Sequence, residues 1–347
     1  MGRERKGQIK EDEERKIFTV RVTYHNEQGK RKDVRRRVKD RTTANRQLRT
    51  LLRTLEDHGG KIMDASRMHF NELADAYEKR KLIAPVYKGE TRIAGLRSWK
   101  TQLGYLKILR AYFGKQRIQT ITHADLEKYR KTRLETPKQR GGERTITGVN
   151  RELALLRSML NFARRECWLV HNPFERGESL ISQADENRRD RILTEEEEGR
   201  LLAVCADKNR AHIQPLIIGA LDTGMRIGEL LKLKWSDIDF HAGLIHVRKT
   251  TTKTWEGRTI GLTSRFRAEL QRLWDRGTGN AEELVFGLKN NIKTAFTTAR
   301  RLAGLEDLHF HDLRHTATTR MIRAGMPPME VMKITGHREI STFLRYL

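Results

Sequence analysis

The sequence predicts a multidomain α+β protein that is mainly α: a small N-terminal β-sheet plus helix, a helical bundle, and a mixed α/β unit with a small antiparallel sheet. Three observations predict it. Apolar and polar residues alternate between Phe18 and Val38, the period of a half-buried strand. From Phe70 to Ala163 the apolar residues recur at three- and four-residue spacing, the period of a helix. Beyond a polar stretch, 176–191, both periods occur together. At 347 residues the chain is long enough for two or three cores. The boundaries read as 1–65, 66–175, a linker 176–191, and 192–347.

In the first block, Phe18, Val20, Val22 and Tyr24 form one strand, and 26–29 (Asn-Glu-Gln-Gly) is turn chemistry. Val34, Arg36 and Val38 continue as a second strand. Thr42 or Thr43 then caps a helix carrying Ala44, Leu48, Leu52 and Leu55, closed by Gly59 and Gly60. In the second block one helix presents Phe70, Leu73, Ala74 and Tyr77, and another Leu103, Leu106, Leu109 and Phe113, ending at Gly114. Thr122 and Asp125 make a capping box. Gly141 and Gly142 break the chain before a helix with Val149, Leu153, Leu156, Leu160 and Ala163. These apolar stripes are core.

Composition narrows the function. There are 70 Lys+Arg against 45 Asp+Glu, a formal charge of +25. Such a surplus calls for a polyanion, and nucleic acid is the commonest one. Lys30, Arg31, Lys32, Arg35, Arg36 and Arg37 crowd the first block's turn and second strand, and Arg144 and Arg151 flank the last bundle helix. A charge run is usually a solvated face; here an Arg-rich ribbon lying in a DNA groove is the expectation. Two cysteines, Cys167 and Cys205, support no disulfide framework or cysteine-based zinc site. The apolar runs are short, as at Leu216 to Ile218, so no membrane partner is expected. The N-terminal residues have no apolar secretory core, which predicts a cytoplasmic protein.

Four segments of the third block carry chemistry, after a capping box at Thr194 and Glu197. In the first, an apolar helix (Ile213, Leu216, Ile217, Ala220) is interrupted at Thr223 and Gly224, and a new helix starts with Arg226 in its first turn. A cation at the positive end of a helix dipole is locally unfavourable and suggests a bound anion. Glu229 lies three residues on and is placed to hold the guanidinium. The second is a β-hairpin, 244–247 and 258–262, with Lys253 near its tip and Lys249 close by. The third is HDLRH, in which Asp312 caps a helix to Ala324, closed by Gly325, and His311 and Arg314 project from its start. The fourth runs from Gly336 and His337 to Tyr346, the last tyrosine of the chain, the one before it being Tyr129.

Each segment alone has an ordinary structural explanation. Together, TGMRIGELLKLKWSDID, HDLRHTATT and GHREISTFLRYL resemble the tyrosine recombinases, the phage integrase family. The resemblance covers the whole third block. The second block is similar to that family's core-binding domain, and the first, more loosely, to its arm-type DNA-binding domain. What this implies is a site-specific DNA recombinase or integrase of a phage or mobile element. Arg226 and Arg314 would stabilise the pentavalent phosphorane, assisted by His337. Tyr346 would attack to form a 3′-phosphotyrosine, Lys253 would protonate the 5′ leaving oxygen, and His311 would be the acid/base partner of Tyr346. The partners implied are double-stranded attachment or recombination sites, a homotetramer on two duplexes, and accessory DNA-bending or directionality proteins. No cofactor and no metal is expected. The resemblance also implies a nucleoid-associated protein of a bacterial host, and a docking segment after the tyrosine, whereas this sequence runs one residue past Tyr346.

Three rivals share parts of this pattern. A type IB topoisomerase uses the same residue types. A DNA-binding protein could keep the scaffold without the reaction. A metallohydrolase could use His309, His311 and His315, although two arginines would then face the cation.

Overall fold

The computed structural model describes residues 7–26, 28–89, 91–138, 141–182, 184, 186, 189–249, 256–288 and 292–347. It divides into two compact units, Met1–Asn187 and Arg188–Leu347. The polar stretch expected as a linker is shared between them. Ser182 and Glu186 are tied by Asn150 in the first unit, and Arg189 is bound to Asp312 in the second.

The first unit opens with three antiparallel strands, β1 (Gln8–Asp12), β2 (Ile17–His25) and β3 (Arg31–Val38), in the order β1-β2-β3. The sequence predicts two; β1 is an almost wholly exposed edge strand of polar and charged residues, which shows no alternation. Val20, Val22, Tyr24 and Val34 face α1 (Arg41–His58), whose Leu55 is buried with them. The cap of α1 is Asp40, not Thr42 or Thr43: its carboxylate accepts the Thr43 N–H at 2.7 Å. Gly59, at φ 72°, ends the helix as expected, and Gly60 begins a short α2 (Gly60–Asp64). Tyr24 Oη and Lys32 Nζ both reach Asp64, at 2.7 and 2.8 Å.

The bundle is α3 (Phe70–Lys81), α4 (Trp99–Phe113), α5 (His123–Glu135) and α6 (Ile146–Arg165). The predicted apolar faces meet in one core in which Phe70, Phe113 and Tyr129 pack ring against ring. Tyr129 donates to the buried Glu152, which Arg133 holds with two hydrogen bonds of 2.7 and 2.8 Å. Losing one partner would leave a buried charge uncompensated. The Thr122–Asp125 box forms as expected. Between α3 and α4 lies a hairpin, β4 (Val86–Lys88) and β5 (Thr91–Ala94). Both strands are exposed on both faces, so no burial pattern announced it.

The second unit wraps an apolar core around α8 (Gln214–Thr223), which is buried on nearly every side. Around it stand α7 (Glu195–Cys205), the single turn α9 (Ile227–Leu230), α10 (Ser264–Trp274), α11 (Lys293–Leu302) and α12 (Phe310–Arg323). The chain closes with α13 (Pro328–Thr335), α14 (Ile340–Phe343) and a last turn, Leu344–Tyr346. The hairpin forms with a third strand at its edge: β6 (Ile238–Asp239), β7 (Leu244–Val247) and β8 (Arg258–Gly261), antiparallel in that order. Ile245 pairs with Ile260 and Val247 with Arg258, so these four share the core-facing side. Two boundaries differ from expectation. Arg226 is the N-cap of α9 rather than a first-turn residue. The N-cap of α12 is His309, and Asp312 is its third residue, accepting the His309 N–H at 2.8 Å. The carboxylate still closes the helix end, from inside instead of from the cap.

Candidate active site

Two glycines build the site. Gly224 ends α8 and Gly336 ends α13, both in the left-handed conformation, at φ 64° and 71°. A β-carbon on Gly224 would come within 2.9 Å of the Thr335 methyl, and one on Gly336 within 3.1 Å of the Arg258 guanidinium. These chain reversals turn both carbonyls toward arginines. Gly224 O accepts from Arg314 Nη1 at 2.8 Å, and Gly336 O from Arg226 Nη2 at 3.1 Å. Residues 226 and 314, far apart in sequence, are thereby fixed in one cleft.

The charges in that cleft do not cancel. Glu229, 2% exposed, pairs with Arg226 at 3.0 Å and with Arg258 at 2.6 Å. Burial pushes the Glu229 carboxyl up, but the hydrogen bond and charge of Arg258, then Arg226, outweigh it and hold its pKa below the usual range. Arg314 is 2% exposed, and among the described residues no carboxylate lies within ion-pair distance of it. Burial first, then the charge of Arg226, presses its pKa down. A guanidinium does not readily give up its proton, so the cleft keeps three cations around one carboxylate. A buried charge without a partner is costly; an anion placed there would relieve it.

His337 lies beside this cation. Thr335 Oγ donates to Val331 O at 2.6 Å, so its single proton is committed. Its 2.7 Å contact with His337 Nδ1 therefore has the imidazole donating. Nε2 is then free to accept from Arg314 Nη2, 3.2 Å away. The ring is neutral: burial, then Arg314 and Arg226, lower its pKa to about 3.

Tyr346 is carried on the last turn. Phe343, 1% exposed, anchors that turn among Val331 and Met332. The phenol ring packs against Phe343 and His337, with centroids 5.4 and 5.7 Å away. Its hydroxyl hydrogen-bonds His315 Nδ1. Burial raises the phenol's pKa, opposed by Arg345 and Arg314. Sequence reasoning assigned the tyrosine's partner to His311. That residue sits one turn earlier on α12, at the exposed rim, edge-on to His315 with ring centroids 5.0 Å apart. Its pKa is lowered by the protein atoms that displace solvent from part of its ring, then by Arg314 and Arg226. The site thus joins Arg226, His311, Arg314, His337 and Tyr346. Lys253 lies outside the described residues; Lys249 is described and exposed. Among the described residues no three His, Cys, Asp or Glu side chains are placed to hold a metal ion.

From sequence, Arg258 is only the start of a strand and His315 only a rival metal ligand. Arg258 had a signal: it shares the inward parity of Ile260 on β8, an odd place for a cation. His315 had one too: it follows Arg314 by one residue and lies four beyond His311, so all three start the same helix.

The eight basic residues expected on DNA separate by face. On β3, Arg31, Arg35 and Arg37 lie on the open side of the sheet, opposite His25, Arg21 and Thr19. Lys32 and Arg36 have the other parity. Lys32 pairs with Asp64, and Arg36 lines a cavity of about 400 Å³ with Leu51, Ile62 and His123. Lys30 is exposed in the turn. Arg144 is occupied: its guanidinium donates to Thr136 O and Pro137 O at 2.9 and 3.3 Å, closing the end of α5. Arg151 is exposed on α6.

Residues 191–347 match the phage integrase family. The matched residues include the whole arginine–histidine–tyrosine site described above. The similar proteins include recombinases. The chain is 37% identical to the shufflon-specific DNA recombinase of Escherichia coli over 65% of this chain and 57% of that one. It is 27% identical to tyrosine recombinase XerC of Staphylococcus epidermidis over 58% and 70%. The chain thus spans under two thirds of the shufflon recombinase's length. Among solved structures, the Tn1549 transposon integrase in complex with transposon right-end DNA superposes with a TM-score of 0.61 at 21% identity, covering 80% of this chain and 94% of that one. A lambda integrase tetramer bound to a Holliday junction gives 0.61 at 16%, covering 95% of each. These two likenesses speak to the fold.

Proposed function

We propose that this protein is a site-specific DNA recombinase that cuts and rejoins strands through a 3′-phosphotyrosine. The observation that carries the reading is Arg314: a buried cation with no carboxylate partner among the described residues, beside Arg226 and within reach of a phenol. A phosphodiester gains negative charge on its non-bridging oxygens as a fifth ligand approaches. Two preorganised guanidiniums match that charge better in the transition state than in the ground state. Tyr346 attacks phosphorus and the 5′ oxygen leaves, protonated by Lys253. His311 and His337 complete the polar lining, and His337 donates to the phosphate once the anion's charge raises its pKa. The bond energy stays in the ester, so a second 5′ hydroxyl reseals it without a nucleotide cofactor. The charge of the metal ions used elsewhere in phosphoryl transfer is supplied here by arginine.

The relatives include recombinases and integrases, and a neighbour in fold is a tetramer on a Holliday junction. The same assembly is proposed here: four copies on two attachment or recombination duplexes, helped by DNA-bending or directionality proteins. The open basic face of the N-terminal sheet and Arg151 would add DNA contacts. Among the described residues no helix is long and apolar enough to cross a membrane, and the proposed place of action is the bacterial chromosome in the cytoplasm.

The test is covalent trapping on a random-sequence duplex library with one nicked strand, followed by mass spectrometry of the adduct and sequencing of the strand. An adduct on the Tyr346 peptide with recombinant products supports the reading. Supercoil relaxation without strand exchange would turn it toward a topoisomerase, and the absence of any adduct would refute it.

A further inference from the structure

Resting on that reading, we propose that His315, rather than His311, takes the proton from Tyr346 as its oxygen attacks phosphorus and returns it when the strand is resealed. Neither the family match nor the motif resemblance places His315 in the reaction; the geometry of the cleft points to it.

Three histidines stand near the phenol, and geometry separates them. His337 has both nitrogens committed, Nδ1 donating to Thr335 and Nε2 accepting from Arg314. His311 is at the exposed rim. His315 is 6% exposed, its ring lies at 31° to the tyrosine ring with centroids 5.6 Å apart, and its Nδ1 is bonded to the phenol oxygen. A protonated phenol donates, so the Nδ1 lone pair accepts and the imidazole carries its own proton on Nε2. That is the arrangement a base needs before transfer.

The groups facing His315 come from two directions. His311, Asp312 and Arg314 stand on its own helix, with Arg345, Tyr346 and His337 across the cleft. Burial first, then His311 and Arg345, lower its pKa to about 4, so the ring is neutral at neutral pH. The incoming phosphodiester adds negative charge nearby and raises the ring's basicity at the moment it is needed. The step balances. The Tyr346 O–H proton passes to His315 Nδ1, and the tyrosine oxygen–phosphorus bond forms while the phosphorus–5′ oxygen bond breaks. The leaving oxygen takes a proton from a separate acid, Lys253 in the proposed reaction. Resealing reverses each transfer.

Two readouts on the full chain test this. The first needs no DNA: in ¹⁵N spectra of histidine-labelled protein, His315 Nδ1 should resonate as an unprotonated acceptor and shift in Tyr346→Phe. A protonated Nδ1, or no shift, would overturn the proposal. The second is single-turnover adduct formation on the nicked random-sequence library. His315→Gln and His315→Ala should melt and bind DNA like the parent, yet form adduct ~10²- to 10⁴-fold more slowly. Added imidazole should partly restore His315→Ala, and 3-fluorotyrosine at position 346, a more acidic phenol, should shrink the loss. Parent-like adduct rates in both His315 variants, with the large loss in His311→Gln instead, would return the role to His311. No adduct from the parent protein would refute the recombinase reading and leave the spectra to decide on His315.

Discussion

The arginines of the C-terminal cleft and those of the N-terminal sheet share a charge and little else. Arg226, Arg258 and Arg314 are each gripped by backbone carbonyls or by Glu229; Arg258 and Arg314 are shielded from water, and the Arg226 side chain is 27% exposed. Arg31 and Arg37 stand on an open sheet face, and Arg35 there has Asp33 at 3.6 Å, a pair more than half exposed on the arginine side. A buried, immobilised cation can distinguish one charge distribution from another, because it does not reorganise during the reaction. An exposed one adds affinity that salt screens away. In the proposed function the first group would serve chemistry and the second adhesion.

The largest effect should come from Tyr346→Phe, which keeps the ring packing on Phe343 and removes the proposed nucleophile: DNA binding persists and no covalent adduct is recovered on denaturing gels. Next, Arg314→Ala should slow cleavage by ~10²- to 10³-fold, or about 3–4 kcal/mol of transition-state stabilisation, with little change in DNA affinity. Arg314→Lys should not restore the rate, since a point charge cannot copy the fork that spans Gly224 and His337. Glu229→Gln should release Arg226 and Arg258 from their shared carboxylate and cost on the order of 10- to 100-fold in the same assay. An equal loss of affinity in the Arg314 and Glu229 variants would erase the distinction between the two arginine groups.

Acid should separate the regions as well. His315 and His337 have folded-state pKa values lowered from 6.5 to about 4 and about 3. Below pH 6.5 the unfolded chain therefore binds more protons than the folded one, and stability falls as the pH drops toward 4 and 3. The stabilisation is complete above pH 6.5. Thermal melts of the C-terminal unit within the full chain should shift down across that window, and less so in His337→Gln. The smallest effect concerns the sheet. Replacing Arg31, Arg35 and Arg37 by Gln should reduce the slope of log affinity against log salt by up to about 0.9 for each phosphate no longer neutralised. Replacing Lys32 and Arg36 should change it less, because they face α1 and α2.

Much of this was legible in the sequence, and for identifiable reasons. The helices of the bundle and the Thr122 and Thr194 caps were readable because their signals are local: apolar spacing, and a hydroxyl three residues before a carboxylate. Arg226, Arg314, His337 and Tyr346 were readable from motif strings, and Gly224 and Gly336 from their place after apolar helices. What was not legible depends on partners distant in sequence. Arg144 looks like a DNA contact until its guanidinium is seen on the carbonyls of Thr136 and Pro137. Arg258 reads as an ordinary strand residue until the end of α13 arrives over it, with Ile334 O at 2.6 Å. The choice between His311 and His315 turns on where Leu344–Tyr346 comes to rest, which no spacing within α12 encodes.

Arg314 has no carboxylate partner among the described residues, and its proposed role on the scissile phosphate is tested most directly by neutralising that phosphate. A duplex with a methylphosphonate at the scissile position lacks the non-bridging negative charge. Arg314→Ala should be defective on the phosphate duplex and regain most of its cleavage rate on the methylphosphonate one, with Tyr346 as the attached residue. If a folded, DNA-binding Arg314→Ala stayed equally inactive on both linkages, the arginine would not be neutralising the phosphate, and its proposed role would be wrong.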